Sequence, residues 1–153
     1  MKVAIYGAGS LGTVLGAYLE KGGLSADLIS RNSAHIAALK KNGAHITGKA
    51  DFCIPVSAFL PSEMACDYDV IILMTKSIGQ KETVEFLSGK LKPDGIICTC
   101  QNGLPEAGIA GIIGEERTYG CIIGWGASYI APGIADKRGG DFYIHDRKIP
   151  IRF

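Results

Sequence analysis

Residues 3–12 read Val3-Ala4-Ile5-Tyr6-Gly7-Ala8-Gly9-Ser10-Leu11-Gly12 and contain the strongest structural signal of the chain. The four apolar residues at the start are typical of a strand that is buried on both faces. The glycines that follow have the spacing G-x-G-x-x-G, and apolar residues recur with a helical period from Leu11 to Glu20. Strand, glycine turn and helix in this order predict a βαβ unit whose turn binds the pyrophosphate of a dinucleotide.

Each glycine of this turn is expected to have a separate steric role. Gly7 permits the tight turn, Gly9 lets the pyrophosphate approach the backbone, and Gly12 lets the helix pack closely on the strand. The start of the helix adds free N–H groups and a partial positive charge. A glycine-rich turn without a ligand is the alternative. The residues expected to contact the cofactor are Gly7, Ala8, Gly9, Ser10, Leu11 and Gly12.

The end of the second strand, predicted at Ala26–Ser30, indicates which dinucleotide binds. NAD sites usually place Asp or Glu here, about 20 residues after the glycine turn, to bind the ribose 2′-hydroxyl. This chain has Arg31 and Asn32 instead, and no carboxylate. Arg31 can pair with a 2′-phosphate, and Ser30 or Asn32 can add hydrogen bonds. The sequence therefore predicts NADP(H), with a solvated surface arginine as the alternative.

Strands continue to alternate with helices along the chain. This order predicts a doubly wound, Rossmann-type α/β fold in which a mostly parallel sheet carries helices on both faces. The length of 153 residues suggests one domain over residues 1–153. The further predicted elements are a helix capped by Ser33 and ending near Lys41, one or two irregular strands in 44–60, a strand from Asp69 to Thr75, a helix from Lys81 to Leu91, a turn at 92–95, a strand from Ile96 to Cys100, a helix from Pro105 to Ile113, strand-like residues 119–130, a turn at Pro132-Gly133 and a last strand at 142–144.

Two polar residues lie shortly after predicted strands of this sheet. Lys76 comes after Asp69–Thr75, and Asn102 comes after Ile96–Cys100. Ligands of open α/β sheets sit outside the carboxyl ends of the strands, so we expect both residues near the place where nicotinamide and substrate meet. A lysine there can bind a carboxylate, and an asparagine can hydrogen-bond ribose or substrate. Ordinary surface-loop positions are the alternative for both.

Composition argues against other classes of partner. A net charge of +1 without a basic block makes nucleic acid and anionic membranes unlikely as partners. Five cysteines without a CxxC pair fit neither a zinc site nor a disulfide framework, so we expect buried, reduced thiols in a cytoplasmic protein and no metal. His35, His45 and His145 have no ligand spacing and receive no role, and Trp125 is expected to pack in the core.

Five motifs together resemble the ketopantoate reductase (2-dehydropantoate 2-reductase) family. They are GAGSLG at 7–12, SRN at 30–32, TKS at 75–77, QNGLPE at 101–106 and GWGASYIAPG at 124–133. The resemblance covers nearly the whole chain and weakens after about Asp136. It implies NADPH-dependent reduction of ketopantoate to pantoate, on the route to pantothenate and coenzyme A. It also implies that the glycine turn holds the pyrophosphate, that Arg31 holds the 2′-phosphate, and that Lys76 and Asn102 occupy cofactor and substrate positions.

One expected part of that family has no counterpart in the sequence. The family has a second, all-helical domain with the catalytic lysine and a substrate-binding glutamate, and this chain ends at Phe153, near where that domain would begin. We therefore assign no catalytic residue and expect a truncated or naturally split protein that binds its cofactor with little turnover of a small 2-oxo acid. Exposed apolar surface would favour a homo-oligomer. A non-catalytic nucleotide-sensing domain and a reductase of a different 2-oxo acid remain alternatives.

Overall fold

Eleven strands and four α-helices make up the computed structural model, which describes residues 1–139 and 144–147. Most of the predicted elements are present, with bounds that differ by a few residues. The strands are β1 Val3–Tyr6, β2 Ala26–Ile29, β3 Ala44–Gly48, β4 Phe52–Ile54, β5 Ala58–Phe59, β6 Tyr68–Leu73, β7 Leu91–Thr99, β8 Thr118–Ile123, β9 Ala127–Ala131, β10 Ile134–Lys137 and β11 Ile144–Arg147; the helices are α1 Ser10–Lys21, α2 Ser33–Asn42, α3 Gln80–Ser88 and α4 Glu106–Ile113.

The central sheet has seven strands in the order β11-β8-β7-β6-β1-β2-β5. Neighbours from β8 to β5 are parallel, and β11 is antiparallel to β8. The predicted Rossmann-type sheet is thus confirmed. Because β1 lies between β2 and β6, the chain reverses its direction of winding there, and the carboxyl ends of β1 and β6 border the crevice in which such sheets bind ligands.

The two faces of this sheet are covered by different elements. Ala4 of β1 packs with residues of α3 and α4, whereas Val3 and Ile5 pack with α1 and α2. The contact between α1 and the sheet is close because Gly16 has no side chain, and a Cβ there would collide with Leu28 of β2. Helices therefore lie on both faces, as predicted.

A second sheet, which the sequence did not predict, covers the α1 side. Its order is β4-β3-β10-β9, with β10 parallel to β3 and the other pairs antiparallel. The residues predicted as strand-like, 119–130, form two strands, because β8 belongs to the central sheet and β9 to the second. The chain passes between them at Gly124-Trp125-Gly126. Trp125 is 6% exposed and packs in the core, as expected.

Two predicted ends of α-helices are wrong. Asn32, not Ser33, caps α2, because its Oδ1 accepts a hydrogen bond of 3.1 Å from the N–H of His35. The third helix ends at Ser88, and Leu91 already belongs to β7. Leu91 continues the apolar spacing of α3 because it packs into the same core from the neighbouring strand.

The turn predicted at residues 92–95 is a bulge inside β7. One residue of β6, Asp69, lies opposite these four residues, because the pairing moves from Tyr68–Leu91 to Val70–Ile96. Arg117 supports the bulge. Its Nε donates to the carbonyl of Gly95 at 2.8 Å, and its Nη2 donates to the carbonyl of Lys92 at 3.1 Å.

The expectation that the cysteines are buried is wrong, because none of the five is buried in the structure. Cys53 and Cys66 are exposed and the other three are partly exposed. In the part of the chain that the structure describes, no helix has the length and apolar character needed to cross a membrane. Of the last predicted strand, Ile144 begins β11, and Phe142 and Tyr143 lie outside the described residues.

Candidate functional site

The glycine turn between β1 and α1 lies at the reversal point of the sheet. Gly7 has a φ of +105°, and a Cβ there would lie 2.7 Å from the carbonyl carbon of Met74. A Cβ at Gly12 would lie 2.8 Å from the carbonyl oxygen of Gly7. At Gly9, by contrast, a Cβ would have no atom within 4 Å. Gly7 and Gly12 are thus required by the protein itself, whereas the space over Gly9 is open to a ligand.

The backbone donors of the turn divide into two groups. The N–H groups of Gly7 and Ala8 donate to the carbonyl of Ile29 at 3.0 and 2.9 Å, which holds the turn against β2. Ala8 is fully buried, so it shapes the turn without a surface for a ligand. The first intrahelical bond runs from Thr13 N to Gly9 O at 2.9 Å. By helix geometry, the N–H groups of residues 10–12 remain as donors.

The start of α1 fits an anionic group. Gly9 is its N-cap and supplies no side-chain hydrogen bond, and the first turn contains no acidic residue. The positive end of the helix is therefore not neutralised by its own sequence, and an anion placed over Gly9 would be stabilised by the helix dipole and by the free N–H groups.

The first cleft, of about 910 Å³, opens from this turn towards the end of β2. Arg31, Asn32 and Lys76 line it together with Glu82 of α3. Arg31 is exposed and has no salt-bridge partner among the described residues. Burial raises the pKa of Tyr6 in the same cleft, and the positive charge of Arg31 partly opposes that rise because it stabilises the phenolate. The two basic residues outnumber the single carboxylate, so the cleft favours a phosphate group.

Asn32 has part of its hydrogen-bonding capacity already committed. Its Oδ1 accepts from the N–H of His35 as the cap of α2, and its own N–H donates to Ser30 Oγ at 3.2 Å. The side-chain amide nitrogen of Asn32 is the group that remains to donate to a ligand.

The second cleft, of about 440 Å³, lies on the other side of the start of α1, at the ends of β7 and β8. Asn102 lines it together with Leu11, Glu106, Cys121 and Trp125. The structure therefore separates the two residues that the sequence placed together, because Lys76 lies in the first cleft with Arg31 and Asn102 lies in the second. Among the side chains described, no cluster of three His, Cys, Asp or Glu residues could hold a metal ion.

Gln101 joins the loops that border the two clefts, and the sequence reasoning did not single it out. Its Nε2 donates to the carbonyl of Thr75 at 2.9 Å, and its Oε1 accepts from Gln80 Nε2 at 3.3 Å. Gln80 in turn donates to the carbonyl of Pro105 at 3.0 Å. The rule that selected Asn102, a polar residue shortly after a strand, applies more directly to Gln101, the first residue after the predicted strand, and could have found it.

The sheet order, the glycine turn and the clefts on both sides of α1 define the Rossmann class of dinucleotide-binding folds. Residues 3–146 match the profile of the family described as ketopantoate reductase PanE/ApbA, so the chain belongs to the ketopantoate reductase family.

Similar proteins place the chain in the amino-terminal part of that family's architecture. The 2-dehydropantoate 2-reductase of Pyrococcus horikoshii is 33% identical over 139 residues, which cover 91% of this chain and 45% of that protein. The structure of 2-dehydropantoate 2-reductase from Geobacter metallireducens has a TM-score of 0.86 and 25% identity, and the match covers 100% of this chain and 51% of that one. The chain thus spans about half the length of the relatives it matches.

One similar structure has a different name. D-mandelate dehydrogenase, solved with NADH and anilino(oxo)acetate, matches with a TM-score of 0.82 and 27% identity over 91% of this chain and 46% of that one. Nicotinamide dinucleotides are therefore the cofactor class of the similar dehydrogenase, and the relatives are oxidoreductases that act on small molecules.

Proposed function

We propose that residues 1–153 form the NADPH-binding domain of a cytoplasmic oxidoreductase that reduces 2-dehydropantoate to pantoate. The observation that carries the proposal is the uncapped start of α1, which opens over Gly9 between the two clefts. A dinucleotide with its pyrophosphate at this helix start would extend one half into each cleft. The N–H groups of Ser10, Leu11 and Gly12 would bind the pyrophosphate, and Gly7 and Ala8 would hold the turn in shape.

NADPH is proposed over NADH because of the charges in the first cleft. Arg31 follows β2, where NAD-binding proteins usually have a carboxylate, and Lys76 lines the same cleft. A guanidinium can bind a 2′-phosphate with two hydrogen bonds, and the Lys76 ammonium adds a second positive charge. The Asn32 amide would complete this subsite.

The second cleft is proposed to receive the nicotinamide and the substrate. When bound there, the nicotinamide supplies the hydride, and the protein supplies position and electrostatics. Asn102 would donate a hydrogen bond to ribose or substrate. No catalytic residue is assigned among the described residues, so cofactor binding is the property to test first.

The test is titration of the 153-residue chain with NADPH and NADH, followed by nucleotide fluorescence. We expect NADPH to bind at least about tenfold more tightly, and Arg31→Ala to remove most of this difference because one charge-assisted pair is lost. Lys41→Ala is the matched control, since Lys41 is exposed on α2 and does not line the cleft. Equal affinities for both nucleotides, unchanged in Arg31→Ala, would contradict the NADPH assignment.

A second candidate is reduction of a different 2-oxo acid, which the similarity to D-mandelate dehydrogenase favours. The two candidates share the cofactor and differ in the substrate. Titrating the NADPH-bound chain with ketopantoate or with other 2-oxo acids, and following nucleotide fluorescence, would separate them without requiring turnover. A fluorescence change with another 2-oxo acid but not with ketopantoate would favour the second candidate. Self-association is also proposed, and light scattering of the purified chain would test it.

A further inference from the structure

His35 is a buried histidine of α2 whose two ring nitrogens contact two other elements. It is 1% exposed. Its Nε2 lies 3.0 Å from Oγ1 of Thr13 on α1, and its Nδ1 accepts a hydrogen bond of 3.0 Å from the N–H of Gly133, in the turn between β9 and β10. The ring also contacts Tyr129 of β9, with 5.4 Å between ring centroids. The imidazole thus connects α1, α2 and the second sheet.

These contacts determine the protonation state of the ring. The N–H of Gly133 can only donate, so Nδ1 must be unprotonated, and the proton of the neutral imidazole is on Nε2. Nε2 therefore donates to the hydroxyl oxygen of Thr13. Burial lowers the pKa of His35, and a hydrogen-bonding interaction with the backbone of Ala8 offsets part of this effect.

The same residue is linked to both parts of the first cleft. On one side, the N–H of His35 donates to Oδ1 of Asn32, the residue directly after Arg31. On the other side, the Nε2 contact holds Thr13, whose N–H donates to the carbonyl of Gly9 in the glycine turn. The position of the turn relative to Arg31 therefore depends on this shielded side chain as well as on the bonds of Gly7 and Ala8 to the carbonyl of Ile29.

We propose that His35 is a positioning residue for the nucleotide: its neutral imidazole fixes the start of α1 against α2, and so fixes the glycine turn relative to Arg31. This inference rests on the proposed nucleotide binding of the first cleft. It adds a requirement that the cleft residues alone do not contain, namely an uncharged imidazole behind the turn.

Protonation of the ring is expected to break this arrangement. An imidazolium would present a donor at Nδ1 to the N–H of Gly133, which is also a donor, and one of the two would have to move away. The groups that interact with the ring are Ala8 from the glycine turn, Thr13 from α1, Gly133 from the turn between β9 and β10, and Tyr129 from β9. Tyr129 is the titratable side chain among them, and none of them has a carboxylate that would stabilise the imidazolium.

The first arm of the experiment is a mutant cycle on the 153-residue chain, with the NADPH dissociation constant as the readout. Thr13→Val removes the hydroxyl at nearly constant volume, and Thr13→Ser retains it. His35→Asn keeps an acceptor near the Nδ1 position but is too short to reach Thr13. We expect Thr13→Val and His35→Asn each to raise Kd about fivefold, the value for one lost hydrogen bond. The Kd of the double variant should not exceed the higher Kd of the two single variants, because both substitutions remove the same contact. Thr13→Ser should bind NADPH like the unchanged protein.

A stability control is needed because both positions are buried. Ile113→Ala removes a buried side chain from α4, on the opposite face of the sheet, and should lower the thermal midpoint without changing Kd. If His35→Asn does not fold, the Thr13→Val and Thr13→Ser pair still tests the contact. Additive effects in the cycle, or unchanged binding by Thr13→Val, would overturn the proposal.

The second arm is the pH dependence of Kd, from about pH 8 down to about pH 5. The 2′-phosphate of NADPH titrates near pH 6 and affects every variant equally. We expect Kd of the unchanged protein to rise more steeply at low pH than Kd of His35→Asn, because only the unchanged protein has an imidazole whose protonation would disrupt the contacts behind the glycine turn. Parallel curves would overturn the proposal. Failure of the unchanged protein to bind NADPH at pH 8 would instead overturn the proposed function, and the inference with it.

Discussion

Gln101 Nε2 donates to the carbonyl of Thr75 across 2.9 Å, and this contact joins the loop after β6 to the loop after β7. The first loop borders the first cleft and the second loop borders the second cleft, so this side chain connects the walls of the two clefts. Gln80 extends the contact to the start of α4 through its bond to the carbonyl of Pro105.

We expect Gln101→Leu to lower the free energy of unfolding by about 1–3 kcal/mol, because it leaves the partly buried carbonyl of Thr75 without its donor and removes one of the two acceptors of Gln80 Nε2. Urea denaturation followed by circular dichroism would measure the change. Asn102→Ala is the neighbouring control, since Asn102 is exposed, and it should change the unfolding free energy by less than about 0.5 kcal/mol. An equal effect of the two substitutions would contradict a structural role for the Gln101 contact.

Gly7→Ala should mainly lower the stability of the protein, whereas Gly9→Ala should mainly weaken the binding of NADPH. Gly7→Ala forces a side chain into a positive φ and against the backbone of Met74, so we expect a loss of stability of about 2–4 kcal/mol. Gly9 has a φ of −85° and open space at its Cβ position, so Gly9→Ala should fold normally. Its methyl group would occupy the volume proposed for the pyrophosphate and raise the Kd for NADPH more than about tenfold.

Unfolding and nucleotide titration of both variants would check this pair. The assignment of Gly9 to the pyrophosphate would be wrong if Gly9→Ala bound NADPH as tightly as the unchanged protein.

His35 should make the stability of the protein depend on pH in weakly acidic solution. Its pKa in the folded state is lowered from 6.5, so below that pH the unfolded chain binds more protons than the folded one. The contribution of His35 is therefore complete above about pH 6.5 and is lost as pH falls from there towards the lowered pKa, by at most about 1.4 kcal/mol per pH unit. Urea midpoints of the unchanged protein and His35→Asn, compared from about pH 7.5 to about pH 5.5, should show the steeper decline in the unchanged protein.

Arg117 should contribute to stability through the bulge of β7. Arg117→Ala leaves the carbonyls of Lys92 and Gly95 without their charged donor, and we expect a loss of about 2–3 kcal/mol in unfolding free energy. Arg138→Ala serves as the comparison, because Arg138 has an exposed side chain and a long ion pair of 3.8 Å with Asp136. That variant should lose less than about 0.5 kcal/mol. Thermal unfolding in which both variants behave alike would contradict this role of Arg117.

The parts of the fold that were predicted correctly depend on neighbouring residues. β1, the glycine turn and α1 lie within Val3–Lys21, where apolar runs, glycine spacing and helical period indicate each element directly. The second sheet was not predicted because its central pair joins distant residues, with Ile134 beside His45. The local sequence of neither strand indicates that it pairs with the other. The Ser33 cap was wrong for a different reason: Asn32 and Ser33 are both good caps, and only the bond from His35 N–H distinguishes them.

In the candidate site, too, the features set by local sequence were predicted and those set by distant contacts were not. The positions of Gly7, Gly9 and Gly12 within one turn were predicted, because the motif is local. The edge of the sheet at which Lys76 and Asn102 lie was also predicted, because both follow strands. Their separation into two clefts was not, since it depends on how the start of α1 and the Gln101 contact divide that edge in three dimensions. His35 was missed because its importance comes from Gly133, which is remote in sequence.

The parallel pairing of β10 with β3 has a consequence for the way the chain folds. His45 N donates to the carbonyl of Gly133 at 2.9 Å, and Thr47 Oγ1 donates to Asp136 Oδ1 at 3.3 Å. Such distant contacts slow folding, because a long loop must close before they form. During synthesis, the edge of β3 that pairs with β10 stays unpaired until the ribosome has released the chain through Lys137. Gene fragments that stop at the end of β8 should therefore yield aggregating protein, and fragments that extend past β10 are the shortest from which this end of the domain can assemble.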